Sequence, residues 1–272
     1  KKNIKNFLKK KNFKFINHNI LKKISLNTDE VYNLACPASP KFYQKDPVFT
    51  IKTCIIGTAN LLDNALKYNA KFLQASTSEV YGNPLIHPQK ENYWGNVNPI
   101  GVRSYYDEGK RGAETLCFDY HRQYKLPIKV VRIFNTYGLF MNKNDGRVIS
   151  NFIIQALDDK NITVYGNGNQ TRSFCYVSDL IEGLERFMKK GKNICGPINL
   201  GNPREITIID IAKKIIKITN SKSRIVFKKL PNDDPEKRRP NISYAKKIIN
   251  WSPEVSLDKG LIKTVNYYRG LR

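Results

Sequence analysis

Short apolar runs alternate with longer amphipathic stretches along this chain, and that alternation is the mark of strands and helices taken in turn. Residues 13–17 and 31–35 read as short strands, 47–68 as a helix, 71–76 as a buried strand and 104–124 as a long helix. The run Ile128-Lys129-Val130-Val131-Arg132-Ile133 is a further strand, closed by the turn Asn135-Thr136-Tyr137-Gly138. This order predicts a parallel sheet covered on both faces, the doubly wound α/β class. After Gly138 the pattern is mixed. It predicts a helix over 148–157, a strand over 162–165, a turn at Gly166-Asn167-Gly168-Asn169, a helix over 179–188, a strand over 197–200, a helix over 208–219 and a strand over 225–228. No long low-complexity linker separates the parts, so two interleaved units are expected. Residues 1–140 and 176–200 form the larger domain; 141–175 and 201–272 form a smaller α/β lobe that takes substrate.

Composition narrows the class. With 272 residues, 40% of them hydrophobic, the chain can bury a sizeable core. It has no run of 18 apolar residues, and residues 1–23 are too polar for a signal-peptide core, so the visible chain is expected to be cytoplasmic with no membrane partner. A formal charge of +24 raises nucleic acid as a partner, because clustered cations release counterions from phosphates. The lysines are instead spread along the chain among abundant Asn and Ile, without zinc-finger or helix-turn-helix spacing. No nucleic acid is therefore expected; a basic surface would help attract an anionic small molecule. Cys36, Cys54, Cys117, Cys175 and Cys195 lie far apart with no Cys-x-x-Cys pair, which predicts reduced thiols and no metal site. Cys36 falls near the chemistry described next, but none of His18, His87 and His121 stands out as its partner, so it reads as a small packing residue.

That chemistry concentrates in Arg103-Ser104-Tyr105-Tyr106-Asp107-Glu108-Gly109-Lys110-Arg111-Gly112-Ala113. On a helix, Tyr106 and Lys110 rise from one face, one turn from each other. The bare spacing is commoner on ordinary helix surfaces; its chemical reading is a hydride-transfer site. A nearby ammonium and a bound nicotinamide cation favour phenolate, which brings a side chain of reference pKa about 10 into use as a base near neutrality. About thirty residues upstream, Ser76-Thr77-Ser78-Glu79-Val80-Tyr81-Gly82 follows an apolar strand. Hydroxyls and a carboxylate at a strand's C-terminal end are where an open parallel sheet puts its chemistry. The earlier strand at 31–35 ends in Cys36-Pro37-Ala38-Ser39-Pro40.

Together with Tyr93-Trp94-Gly95-Asn96-Val97-Asn98-Pro99-Ile100-Gly101 and Arg132-Ile133-Phe134-Asn135-Thr136-Tyr137-Gly138, these segments resemble the extended short-chain dehydrogenase/reductases. Within that family they resemble most the UDP-glucuronate decarboxylases, the UDP-xylose synthases. The resemblance runs from about Val31 to Tyr267 and includes Asp145-Gly146-Arg147-Val148-Ile149-Ser150-Asn151-Phe152. It implies a Rossmann-like doubly wound sheet, NAD as cofactor, UDP-glucuronate or a related nucleotide sugar as substrate, and a homodimer built on the helices around 53–68 and 104–124. The family opens with a strand, a Gly-x-x-Gly-x-x-Gly turn and a helix that holds the cofactor pyrophosphate. Residues 1–23 contain no glycine and the chain begins with Lys. A first βαβ unit of about 30 residues is therefore expected to be missing by N-terminal truncation, leaving a chain that binds NAD poorly or not at all.

The resemblance also implies roles. Tyr106 would take the proton from the sugar C4 hydroxyl as hydride passes to NAD; the resulting ketone is β to the carboxylate, so carbon dioxide can leave before hydride returns to give UDP-xylose. Lys110 would orient the nicotinamide ribose, and Thr77 would hydrogen-bond the reacting hydroxyl. Ser78 and Glu79 would serve the decarboxylation, against the sugar carboxylate and ring. The cofactor would meet His18 and Asn19 at its adenine, and Leu34, Ala35, Thr53, Ala75, Thr136 and Arg147 elsewhere. The substrate would meet Pro37, Lys52, Asn60, Asn135 and Asn151, with Val164 and Tyr165 bordering the uracil. Arg172 and Arg238 would clamp the diphosphate through their planar forks, Arg238 also assisting protonation after decarboxylation. Arg238 lies in Asp234-Pro235-Glu236-Lys237-Arg238-Arg239-Pro240-Asn241, where the family closes on Asp. His18-Asn19 replaces a usual His-Asp, and Gly138-Leu139-Phe140 a usual Gly-Pro-Arg. The alternatives are a 4,6-dehydratase or 4-epimerase of another nucleotide sugar, and a non-catalytic nucleotide-sugar-binding protein. The Ser78-Glu79 pair and the Cys-Pro-Ala-Ser-Pro loop favour the decarboxylases over the other two enzymes.

Overall fold

In the computed structural model, which describes residues 2–229 and 237–271, the alternation of strand and helix is realised. The first part holds β1 (Glu30–Asn33), α1 (Pro40–Tyr43), α2 (Pro47–Lys52), a π-helical turn (Thr53–Gly57), α3 (Thr58–Lys67), β2 (Lys71–Thr77), a 3-10 turn (Ser78–Tyr81), α4 (Ser104–Tyr124) and β3 (Ile128–Ile133). Then come β4 (Thr136–Tyr137), α5 (Val148–Leu157), β5 (Ile162–Tyr165), β6 (Thr171–Ser173), β7 (Cys175–Tyr176), α6 (Val177–Met188) and β8 (Ile198–Leu200). The chain continues through β9 (Glu205–Thr207), α7 (Ile208–Thr219), β10 (Ile225–Lys228), β11 (Lys237–Arg238), α8 (Ser243–Ile249) and α9 (Leu257–Arg269).

β1, β2, β3 and β8 make one parallel sheet in that order, with Val31 opposite Phe72 and Val131 opposite both Ala75 and Ile198. β2 is buried along nearly its whole length. A central parallel strand has helices on both faces, so its sequence runs apolar without alternating. On one face Leu62, Ala65 and Cys117 of α3 and α4 close over Phe72, Ile128 and Val130. On the other, Leu180, Leu184, Phe187, Ile249 and Trp251 meet Leu73, Val131 and Leu200. Residues 242–251 therefore pack against the sheet, although their place in the chain grouped them with the smaller lobe. A separate hydrophobic core gathers Phe152, Ile153, Ile162, Val164, Ile211, Ile215, Leu261 and Val265.

Two expectations change. Residues 13–17 are irregular and not a strand. No strand among the described residues pairs with them, and an unpaired strand leaves its backbone groups to water. The helix expected over 47–68 is made in three pieces, α2, the π turn and α3. Helices α1, α8 and α9 and the short strands β4, β6, β7, β9 and β11 went unforeseen, the strands because so few positions carry no period, whereas three-residue β8 falls within the strand expected over 197–200. Among the described residues no helix is long and apolar enough to cross a membrane.

A buried ion pair joins α4 to the sheet. Arg132 of β3 donates to Glu114 of α4 from Nε at 3.0 Å and from Nη2 at 2.8 Å. Ser76 at the end of β2 donates to the same carboxylate at 2.5 Å. Arg132 also reaches the Tyr81 hydroxyl at 3.0 Å, which in turn donates to Asn199 Oδ1 at 2.8 Å. Removing one member of such a pair strands a buried charge. Glu114→Ala is expected to cost about 3–5 kcal/mol, read as a lowered denaturant midpoint at unchanged slope. A loss of about 0–1 kcal/mol, the scale of a surface pair, would show that the network does not hold the helix.

Candidate active site

The carboxyl end of β2 and the first turns of α4 converge on one place. β2 stops at Thr77, whose hydroxyl accepts the Glu79 N–H at 3.3 Å and so starts the 3-10 turn that lifts Ser78 and Glu79 off the sheet. α4 crosses this end with Tyr106, Lys110 and Glu114 at intervals of four, all three buried. The expected one-face pair is formed: Lys110 Nζ lies 5.9 Å from the Tyr106 ring centroid and donates to the Ala75 carbonyl at 2.8 Å. Gly109 lets α4 settle this closely on the π turn, since a Cβ there would come within 3.0 Å of Cys54 Cβ.

Electrostatics divide the acids and bases of this site. Burial pushes the Tyr106 phenol well above its usual range, with the Cys36 thiol adding to the push, a Thr77 hydrogen bond opposing it, and Glu79 and Cys54 raising it further. The phenol is thus raised, against the expectation of a lowering by Lys110. Glu79 behaves oppositely. Burial raises its carboxyl, but Arg238, Arg103, Arg172 and Arg147 together hold it below the ordinary carboxylate range. Arg103 Nη2 is 2.6 Å from Glu79 Oε2 and Arg238 Nη2 is 3.2 Å from it. Asp107 is pushed up to about 7 by burial first and by Glu79 next, and its Oδ1 has no hydrogen-bond partner among the described residues.

Arg238, 1% exposed in β11, stands opposite Arg172 of β6 in a parallel pair. Its Nη1 donates to the Ser78 carbonyl, and its Nε has no hydrogen-bond partner among the described residues. The sequence expectation put this arginine on a diphosphate; the structure brings it to the Ser78–Glu79 turn. Arg172 is buried and donates to the Thr171 carbonyl at 2.9 Å. Asp234, Pro235 and Glu236 of the same motif lie outside the described residues. Arg147 caps the start of α5, pairs with Asp145 at 3.2 Å and donates to the Ala38 carbonyl, which fastens the loop that contains half-buried Pro37. Leu34 and Ala35 are exposed at the carboxyl end of β1. Asn151 Nδ2 donates to the Gly146 carbonyl at 3.0 Å, Thr136 Oγ1 to the Phe134 carbonyl at 2.9 Å, and half-buried Asn135 accepts the Cys175 N–H through its carbonyl. Thr53 is buried and donates to the Phe49 carbonyl at 2.7 Å.

Other expected residues are occupied elsewhere. Asn60 Nδ2 donates to the Ile20 carbonyl at 2.9 Å, holding the N-terminal segment, and Lys52 is exposed on α2. His18 and Asn19 are exposed; the His18 ring pairs with the Lys22 carbonyl and Asn19 Oδ1 accepts the Leu21 N–H. Val164 is a core residue, 1% exposed, whereas its neighbour Tyr165 is 45% exposed. Successive side chains on a strand point to opposite faces, so Val164 and Tyr165 cannot offer their side chains to one ligand surface.

Three contacts had no assignment from sequence. Tyr43, set one turn after Pro40, stacks on Tyr106 with ring centroids 4.9 Å apart and planes at 20°. Arg103, quoted in the Tyr-Lys run without a role, stands three residues before Tyr106 and reaches Glu79. Cys36, read as a packing residue, lies 3.3 Å from Cys54, sulfur to sulfur.

The raised Asp107 pKa has a sign that can be checked. The folded state binds this proton more tightly than the unfolded chain, so its stabilising contribution is complete below the unfolded value of 3.8 and is lost as pH rises through about 7. Relative to Asp107→Asn, the unmodified protein is expected to lose melting temperature as pH goes from about 4 to about 8. Parallel curves for the two proteins would contradict the assignment.

Known proteins resemble this chain along nearly its whole length. Residues 3–264 match the family model described as GDP-mannose 4,6 dehydratase. UDP-glucuronic acid decarboxylase 3 of Arabidopsis thaliana is 53% identical over 261 residues, covering 96% of this chain and 76% of that protein. UDP-glucuronic acid decarboxylase 1 of Danio rerio is 50% identical over 268 residues, covering 98% and 64% respectively. Among solved structures, UDP-glucuronic acid 4-epimerase from Bacillus cereus in complex with UDP-glucuronic acid and NAD matches at a TM-score of 0.88 and 31% identity, over 100% of this chain and 86% of that one.

Proposed function

The chain belongs to the GDP-mannose 4,6 dehydratase family and, within it, to the UDP-glucuronic acid decarboxylases, and from that premise we propose that it converts UDP-glucuronate to UDP-xylose and carbon dioxide with NAD retained. The observation that carries the reading is the buried Tyr106–Lys110 pair beside an arginine-held Glu79 at the carboxyl end of β2.

A bound NAD supplies the acceptor, and later the donor, of hydride at the sugar C4. The residues present suit its nicotinamide half: Tyr106 and Lys110 are buried at the sheet end, with the exposed Leu34–Ala35 edge of β1 in the same sheet. The first glycine of the chain is Gly57, so no residue ahead of β1 is assigned to the pyrophosphate.

Tyr106 then acts as the base that takes the C4 hydroxyl proton, with Thr77 hydrogen-bonded to its oxygen. Its buried phenol is hard to ionise, and the positive charge that NAD would supply would favour the phenolate. Once C4 is a ketone, the electrons of the breaking C5–C6 bond pass to the C4 oxygen as an enolate and carbon dioxide leaves. Four arginines act on Glu79, so the site carries a surplus of positive charge, suited to a sugar with a carboxylate as well as a diphosphate. Glu79 and Ser78 border the leaving carboxylate, and Arg238 supports protonation at C5. The exposed apolar residues Val48, Phe49 and Ile56 support a homodimer interface on α2 and the π turn. Five free cysteines support a reducing, cytoplasmic setting.

Incubation of the full-length protein with UDP-glucuronate and NAD, followed by chromatography and mass measurement of the nucleotide sugars, is expected to yield UDP-xylose. A product of unchanged mass would overturn the decarboxylase reading. Tyr106→Phe is expected to lower turnover by about 100-fold or more while UDP binding, followed by calorimetry, stays largely intact. Equal turnover would remove Tyr106 as the base. Glu79→Gln is expected to slow carbon dioxide release more than C4 oxidation, the two being followed in parallel by gas detection and NADH absorbance.

A further inference from the structure

We propose that Cys36 and Cys54 are a modification site: a peroxide oxidises them to a reversible disulfide that misaligns Tyr106 and stops turnover. The two thiols stand on different elements, Cys36 in the loop after β1 and Cys54 in the π turn, with sulfurs 3.3 Å apart. A disulfide bond measures about 2.05 Å, so the sulfurs must close by little more than 1 Å. Cys36 is half-buried and Cys54 is buried, which leaves one sulfur within reach of a small oxidant and the other waiting behind it.

The pair is chemically unequal. The hydrogen bond from Cys54, resisted by burial and aided by the nearby Lys110 ammonium, brings Cys36 down to about 7; the same hydrogen bond and burial push Cys54 up. Cys36 is thus the attacking thiolate and Cys54 the resolving thiol. The Cys36 sulfur attacks a peroxide oxygen, the O–O bond breaks, and the other oxygen leaves as water or an alcohol with one proton. The Cys54 sulfur then displaces hydroxide from the Cys36 sulfenic acid, and that hydroxide takes the Cys54 proton as a second water. Two thiols lose two electrons and the peroxide gains them.

The bond would be felt at the catalytic face from two sides. Cys36 begins the loop whose Ala38 carbonyl receives Arg147, and that loop leads into α1, where Tyr43 stacks on Tyr106. Cys54 lies against α4 at Gly109, between Tyr106 and Lys110. Loss of the Cys36 thiolate would by itself ease ionisation of Tyr106, since that thiol raises the phenol. Displacement is the larger effect, because a misplacement of about 1 Å at a reacting group costs about 100-fold in rate.

The test treats the protein with hydrogen peroxide, with and without later dithiothreitol, and maps its peptides without reduction. The expected result is a Cys36–Cys54 cross-linked peptide that dithiothreitol removes, with turnover lost and regained in step. Cys54→Ala is expected to keep basal turnover and to accumulate a dimedone-trapped sulfenic acid at Cys36; Cys54→Ser serves if the alanine variant does not fold. Two persistent free thiols, or Cys36 oxidised without a cross-link, would overturn the proposal, as would a cross-linked protein of full activity. The loss of turnover rests on the function proposed above, whereas the peptide map does not. A reduced protein that never acts on UDP-glucuronate would fail that function and leave the disulfide to be judged by the map alone.

Discussion

The site depends on where α4 lies across the end of β2, and the buried contact between Arg132 and Glu114 fixes that height. Glu114 is two turns beyond Tyr106 on the same face, so anchoring its carboxylate to β3 and to Ser76 of β2 sets the phenol and the ammonium against Thr77 and Ala75. A hydrophobic contact would hold the helix against the sheet but permit sliding along it. A bidentate guanidinium–carboxylate pair is directional, and its desolvation is repaid in one register only.

Above that anchor the site is a problem of charge balance. Glu79 is a counter-ion among arginines, joining Arg103 at the start of α4 to Arg238 of β11. A ligand with a carboxylate and a diphosphate would compete for those same guanidinium groups. Binding then exchanges partners inside the site without exposing a bare cation, which keeps the cost of desolvation low. Asp107, pushed up to about 7 by burial and then by Glu79, brings the cluster less than a full second negative charge near neutrality.

Much of this was legible in the sequence because it is local or periodic. The strands over 128–133, 162–165 and 225–228 and the helices over 104–124, 148–157 and 208–219 fall where apolar period and turn residues put them. The Tyr106–Lys110 pair is a matter of four residues on one helix. What failed depended on tertiary partners. Residues 13–17 have strand character but no strand beside them among the described residues. Arg103 was visible three residues before Tyr106, yet its role is set by Glu79, 24 residues away in sequence. Cys36 and Cys54 are 18 residues apart and meet because the chain between them turns back on itself through α1 and α2.

One modest feature reaches beyond its own neighbourhood. Gln89 is fully buried; its side-chain carbonyl accepts the Arg239 N–H, while its backbone exchanges hydrogen bonds with Arg239 and Asn241. Asn199 of the sheet's β8 edge holds the Asn241 carbonyl from the other side. Arg238 therefore enters the site on a stretch of chain already fixed to the sheet. The entropy of ordering that guanidinium is paid during folding, and a ligand that recruits it gains a preorganised contact in place of a mobile side chain.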